Sequence, residues 1–167
     1  DSGAGRPAGL DAWPAYCAQK GPANAAGPGV ADLGAPEPAG AAALLGRIEA
    51  GEWVVGLRTR TAFAAGFMPG TFNFGLDGQF ATYLGWLIPW GTPVTLLGES
   101  NEQVAEAQRE LVRIGIDRPA AAATGTPTAW ADRPLDSLEM ATFADLAHVR
   151  HYPPVALLDV RHPRDWV

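Results

Sequence analysis

Apolar and polar positions change period along this chain, and each change marks an element. Leu44, Leu45 and Ile48 recur at helical spacing and predict a short helix ending near Gly51. Trp53 to Leu57 is a strand. Thr61 to Ala65 reads as a short helix stopped by Gly66, Phe67-Met68-Pro69-Gly70 as a turn, and Thr71 to Phe74 as a second strand. Phe80 to Trp90 is the most apolar stretch. It predicts a buried helix ending at Pro89, too short to span a bilayer. Val94 to Leu97 is a continuous apolar run of strand length, which predicts a central strand covered on both faces. Ser100-Asn101-Glu102-Gln103 then fits a capping box, and Val104, Ala107, Leu111 and Ile114 form one apolar stripe up to a stop at Gly115. Ala120 to Thr124 is a last short strand, Gly125 to Leu138 loop or linker, Phe143 to Val149 a helix, and Val155 to Val160 a further strand. Strands alternating with helices predict an α/β fold with a mostly parallel sheet.

The pattern also repeats. Val54-Val55-Gly56-Leu57-Arg58 and the residues up to Phe63 recur, altered, from Leu157-Leu158-Asp159-Val160-Arg161 to Trp166. In each copy an apolar strand runs into an arginine and then, at a fixed distance, an aromatic residue. A repeat of this length implies two copies of one domain and not a solenoid. The second copy carries Asp159 and Asp165 on either side of Arg161. The first has Gly56 and Ala62 there, so Arg58 has lost both local acids.

Composition narrows the picture further. At 47% hydrophobic residues the chain can bury a core, and a net charge of −6 argues against general binding of nucleic acid or anionic membranes. Cys17 is the only cysteine, so no internal disulfide can form, and a reducing cytoplasm is the expected compartment. Residues 1–39 are dense in Gly, Pro and Ala and read as an arm without a core, with Trp13 and Tyr16 as candidate anchors. The chain opens on Asp1 and shows no signal-peptide pattern; a fragment, a processed product and a partial chain all fit that opening.

The segment Gly56-Leu57-Arg58, then Ala62-Phe63-Ala64-Ala65-Gly66-Phe67-Met68-Pro69-Gly70-Thr71-Phe72-Asn73-Phe74, resembles the first half of a rhodanese-like domain. The usual family form there is Asp-Val-Arg, Glu-aromatic, Gly-His-Ile-Pro-Gly-Ala, Asn-Ile. Residues 94–115 resemble the second half, in which a strand enters a sulfur-carrying loop and then a helix. The resemblance covers residues 41 to about 124. It implies a doubly wound parallel sheet with helices on both faces. Three segments are similar to bacterial fusions of a metallo-β-lactamase-fold persulfide dioxygenase with two rhodanese modules: Ala15 to Asn24, Tyr83 to Trp90, and Asp159-Val160-Arg161. This implies an arm over residues 1–39 that follows an absent metal-binding domain and a cysteine-free rhodanese-like domain over 40–130. A linker over 131–139 and the start of a second such domain over 140–167 would follow. Iron would belong only to the upstream domain. No cofactor is expected in this chain, and His148, His151 and His162 lack the clustered spacing of an iron site.

A rhodanese transfers sulfur through a cysteine persulfide held in a six-residue loop. Backbone N–H groups and the following helix N-terminus lower the thiol pKa and hold an anionic donor there. By the resemblance, that loop is Gly98-Glu99-Ser100-Asn101-Glu102-Gln103. Gly98 takes the cysteine position, and Gln103 the place of a frequent arginine. Glu99 and Glu102 would satisfy free N–H groups from within and repel thiosulfate or a persulfide. Ser100 is the one hydroxyl in the loop; with no adjacent base it reads as an N-cap. Cys17 reads as an ordinary thiol of the arm, and Phe67, at a frequent histidine position, as packing. Arg58 is expected in a structural ion pair.

Trp86 and Trp90 read equally as core or lid and as anchors of an interface. The function expected is a non-catalytic scaffold or interaction module, with neighbouring domains of the parent chain or a second copy as partners. The alternative is a share in an active sulfurtransferase whose cysteine lies in a further module. A third reading is a small-molecule sensor that takes a neutral or cationic ligand through Glu99 and Glu102.

Overall fold

The computed structural model describes residues 33–149. Helix α1 (Ala41–Glu49) leads into strand β1 (Trp53–Gly56) and helix α2 (Arg60–Ala65). Strand β2 (Phe72–Asn73), helix α3 (Phe80–Leu87), strand β3 (Val94–Gly98) and helix α4 (Asn101–Val112) follow. Strand β4 (Ala121–Thr124) and the helices α5 (Pro127–Trp130) and α6 (Phe143–Val149) complete the order. The sheet order is β2-β1-β3-β4 and every pairing is parallel. Chain order reverses between β1 and β3, so the sheet is doubly wound. It is the α/β architecture expected from the alternation of strands and helices.

The strands alternate between two cores. Val55, Leu57, Val94, Leu96 and Ala122 face α3 and α4, where Phe80, Leu84, Val104 and Leu111 meet them. Val54, Leu97 and Ala123 face the other way, toward Leu44 of α1, Met68 and Trp130 of α5. Every residue of β3 is buried. A strand covered on both faces needs a continuous apolar run in place of an alternating one, which is why Val94 to Leu97 was legible as central.

Four local features differ from the sequence expectation. Helix α3 stops at Leu87, because the residue before Pro89 is forced out of the helical region; Ile88 is extended at φ −73°, ψ 129°. The second strand shrinks to two residues. The arm is not free up to residue 39: Ala39 N–H donates to the Ala122 carbonyl and Ala122 N–H to Glu37, each at 2.8 Å, so residues 37–39 cover the β4 edge. The stretch beyond Gly125 contains α5, whose four residues are too short to show periodicity. Further on, Phe67 and Asp136 exchange backbone bonds at 2.9 Å, and Leu138 N–H reaches the Ala64 carbonyl, so the linker segment is tied to the domain. Trp13, Tyr16, Cys17, Lys20, His151, His162 and the strand Val155 to Val160 lie outside the described residues.

Leu96→Ala is expected to destabilise the domain by about 2–5 kcal/mol, since the side chain is fully buried between two helices and neighbouring strands. Urea denaturation followed by far-UV circular dichroism should show a lower midpoint with an unchanged slope.

Candidate functional site

In open parallel sheets a ligand crevice forms beyond the carboxyl ends of the strands, where chain order reverses. Here a cleft of ≈ 690 Å³ lies at that point, between Leu57 after β1, Asn73 of β2, and Glu99 and Gln103 after β3. Its remaining wall includes Thr59, Arg60, Phe74, Asp77, Phe80 and Tyr83.

The connection from β3 to α4 is short. Gly98 ends the strand and Asn101 begins the helix, so Asn101, Glu102 and Gln103 form its first turn and only Glu99 and Ser100 bridge the two elements. The six residues expected as a cradle are thus a strand end, a two-residue bridge and a helical turn. The N–H groups of Glu99, Glu102 and Gln103 are engaged from within. The Ser100 hydroxyl accepts from Gln103 N–H at 3.3 Å, the capping role expected of it. Gln103 Oε1 accepts from Glu99 N–H at 2.7 Å, one residue further back than a capping box requires. The Ser100 hydroxyl and its own backbone N–H hold the exposed Glu102 carboxyl below the ordinary carboxylate range. Glu99 differs from the expectation: among the described residues its side chain takes no backbone N–H and its one hydrogen bond is from Gln103 Nε2, at 3.5 Å. No residue from 98 to 103 has a positive φ, so the alternating turn of a backbone anion nest is absent from this segment.

Gly98 is also sterically tight. A Cβ there would lie 3.0 Å from Val104 Cγ2 and 3.2 Å from the Ser100 carbonyl oxygen. The valine methyl can yield, whereas the carbonyl belongs to the turn that caps α4.

Arg58 is buried, and among the described residues no ion pair holds it. Its Nη1 donates to the Ala62 carbonyl at 2.8 Å and its Nη2 to the Gly66 carbonyl. The backbone carbonyl at residue 62 thus takes the guanidinium where the second copy has a carboxylate. The guanidinium also stands 5.7 Å from the Trp130 ring centroid, a cation–π distance. Burial pulls the Arg58 pKa down, and the field of Glu99 partly restores it. Phe67 stacks on Phe63 at 4.5 Å, the packing role expected.

Trp86 and Trp90 do not sit in the core. They are 45% and 46% exposed, and with Tyr83 and Leu87 they line the outer side of α3 and its exit. Trp90 packs over Gly115, where a Cβ would fall 3.0 Å from the indole and where φ is +79°. That position therefore needs glycine for both the helix stop and the ring. Sequence reasoning missed Arg60, Asp77 and Tyr83 as cleft residues and Trp130 as the platform for Arg58. They belong to separate segments, and no spacing signal links them. Among the described residues, no group of three or more His, Cys, Asp or Glu is placed to hold a metal ion.

No family model and no curated protein matches this chain. Solved structures do. The crystal structure of the Alr3790 protein from Anabaena sp. matches with a TM-score of 0.52 and 17% identity, over 64% of this chain and 98% of that one. The solution structure of the rhodanese-like domain of Alr3790 gives 0.49 and 17%, over 75% and 96%. A metallo-beta-lactamase from Staphylococcus aureus gives 0.47 and 23% over 57% of this chain, which covers only 26% of that protein. At this identity the Alr3790 likeness establishes the fold alone: a rhodanese-like α/β sheet.

Ser100→Ala is expected to cost about 1 kcal/mol at neutral pH through the lost cap. A carboxyl held low in the folded state adds stability that is full above the ordinary carboxylate range and fades as pH falls through the lowered value. The acid-side decline should therefore be shallower in Ser100→Ala than in the parent, as read by thermal melts between neutral pH and about pH 3.

Proposed function

We propose that this chain is a non-catalytic rhodanese homology domain, acting as a scaffold or interaction module in a protein of sulfide or persulfide metabolism. The observation that carries this is the end of β3. Sulfur transfer needs a thiolate there, and Gly98 has no side chain and little space for one. The short connection to α4, with the Glu99 and Gln103 N–H groups engaged internally, supports the same reading.

The interaction half rests on α3. A helix that is apolar on all sides is normally buried, yet Tyr83, Trp86, Leu87 and Trp90 stand about half exposed. Large aromatic side chains are the usual anchors of a protein interface. Candidate partners are the neighbouring domains of the parent chain or a second copy. The resemblance of Ala15 to Asn24 and Tyr83 to Trp90 to persulfide dioxygenase–rhodanese fusions favours an upstream metal domain, where any iron would reside. A cytoplasmic setting fits the single cysteine. No helix of the described residues is long and apolar enough to cross a membrane.

A second reading keeps a share in catalysis. Asp159-Val160-Arg161 retains the acid that Gly56 has replaced in the first copy, so a further module would hold the cysteine loop of an active sulfurtransferase.

The chain is expected to show no thiosulfate–cyanide sulfurtransferase activity, and Gly98→Cys to restore little. That variant should also lose roughly 1–3 kcal/mol of stability from overpacking against Val104 and Ser100. Robust turnover by the chain or by Gly98→Cys would sink the non-catalytic reading. For the interface, the double change Trp86→Ala, Trp90→Ala should abolish any concentration-dependent association seen by sedimentation, with the monomer still folded.

A further inference from the structure

The cleft beyond the carboxyl ends of β1, β2 and β3 survives although its anion cradle does not, and its wall chemistry is of a different kind. The charged groups that line it are Asp77, Glu99 and Arg60, two carboxylates against one guanidinium. Asp77 Oδ1 is used by Gln79 N–H at 3.0 Å, while Oδ2 has no such bond among the described residues. Glu99 is exposed, with one long contact at 3.5 Å from Gln103. The wall also carries aromatic side chains, Phe74, the buried Phe80 and the half-exposed Tyr83. Two donors that would favour an anion are engaged, Glu99 N–H with Gln103 Oε1 and Gln103 N–H with Ser100 Oγ, which leaves the Arg60 guanidinium as the cationic group of the wall.

Carboxylates beside aromatic rings in a concave site recognise an organic cation, through charge and through the negative faces of the rings. We propose that this cleft binds a small organic ammonium or guanidinium compound, with its charge toward Asp77 and Glu99 and its apolar body against Phe74 and Tyr83. Arg60 offers a place for a carboxylate if the ligand carries one. The proposal rests on the reading that the sulfur-transfer loop is lost, because an intact cradle at the same place would draw anions.

Calorimetric titration of the whole chain tests it, with benzyltrimethylammonium and agmatine as cationic probes and thiosulfate and benzoate as anionic ones. Both cations should bind and raise the melting temperature, as any ligand selective for the native state does. The double change Asp77→Asn, Glu99→Gln should weaken them by about tenfold or more with the unliganded melting temperature little changed. Tyr83→Leu should weaken benzyltrimethylammonium while keeping the apolar wall. No cation binding up to about 10 mM, or binding indifferent to the double change, overturns the proposal. If sulfurtransferase activity is also absent, that result sinks the cation site alone. Thiosulfate binding tighter than either cation would overturn both the site and the loss of the cradle.

Discussion

The burial of β3 on both faces is the constraint on which the rest of this structure depends. Its parallel partners, β1 on one side and β4 on the other, take its backbone groups, and helices cover both faces of the sheet. No residue of β3 is left for water. Burying such a strand costs little only if its polar backbone is fully paired, which a parallel neighbour on each edge achieves. The register of β1 and β4 follows from that pairing. So does the location of the cleft, since β1 and β3 are the strands between which chain order reverses.

The same burial shapes the end of the strand. Gly98 is still inside the protein when the chain must turn into α4, whose Val104 packs directly over it. A short bridge, a serine cap and a glutamine that reaches back to Glu99 make the turn without any left-handed residue. The result is a well-closed helix start. The features that stabilise α4 also take the Glu99 and Gln103 N–H groups out of reach of a ligand anion. Arg58 shows a similar exchange. With no acid at residues 56 or 62, its guanidinium caps carbonyls at the end of α2 and lies near Trp130. Arg58 is thereby part of the packing between β1, α2 and α5.

The outer surface carries two kinds of apolar exposure. On α3 the half-exposed apolar residues include Tyr83 and Leu87, which also line the cleft. On α6, Phe143 is 92% exposed and the helix has no buried residue, although its first turn is closed by Thr142 and Asp145. The Thr142 hydroxyl and N–H hold the Asp145 carboxyl below its ordinary range. That helix is locally complete and lacks a core among the described residues. It stands before the second copy of the repeat as α1 stands before the first.

Much of this was legible in the amino-acid order because the signals are local. The apolar run of Val94 to Leu97, the cap at Ser100, the stripe from Val104 to Leu111 and the stop at Gly115 each depend on residues within a few positions of one another. That Gly98 offers no side chain at the end of β3 was equally readable, since a side chain that does not exist cannot be restored by folding. What the tertiary structure alone decided are relations between distant segments. Pairing of residues 37–39 with β4 depends on an edge that exists only once the sheet has formed. The platform of Trp130 under Arg58 depends on a four-residue helix too short to have a period. The cleft joins Arg60, Asp77, Tyr83 and Glu99 from four separate segments, and the exposure of Trp86 and Trp90 is decided by which side of α3 the sheet covers. Periodicity reports that a helix is apolar. When it is apolar on every side, only packing determines which side meets water.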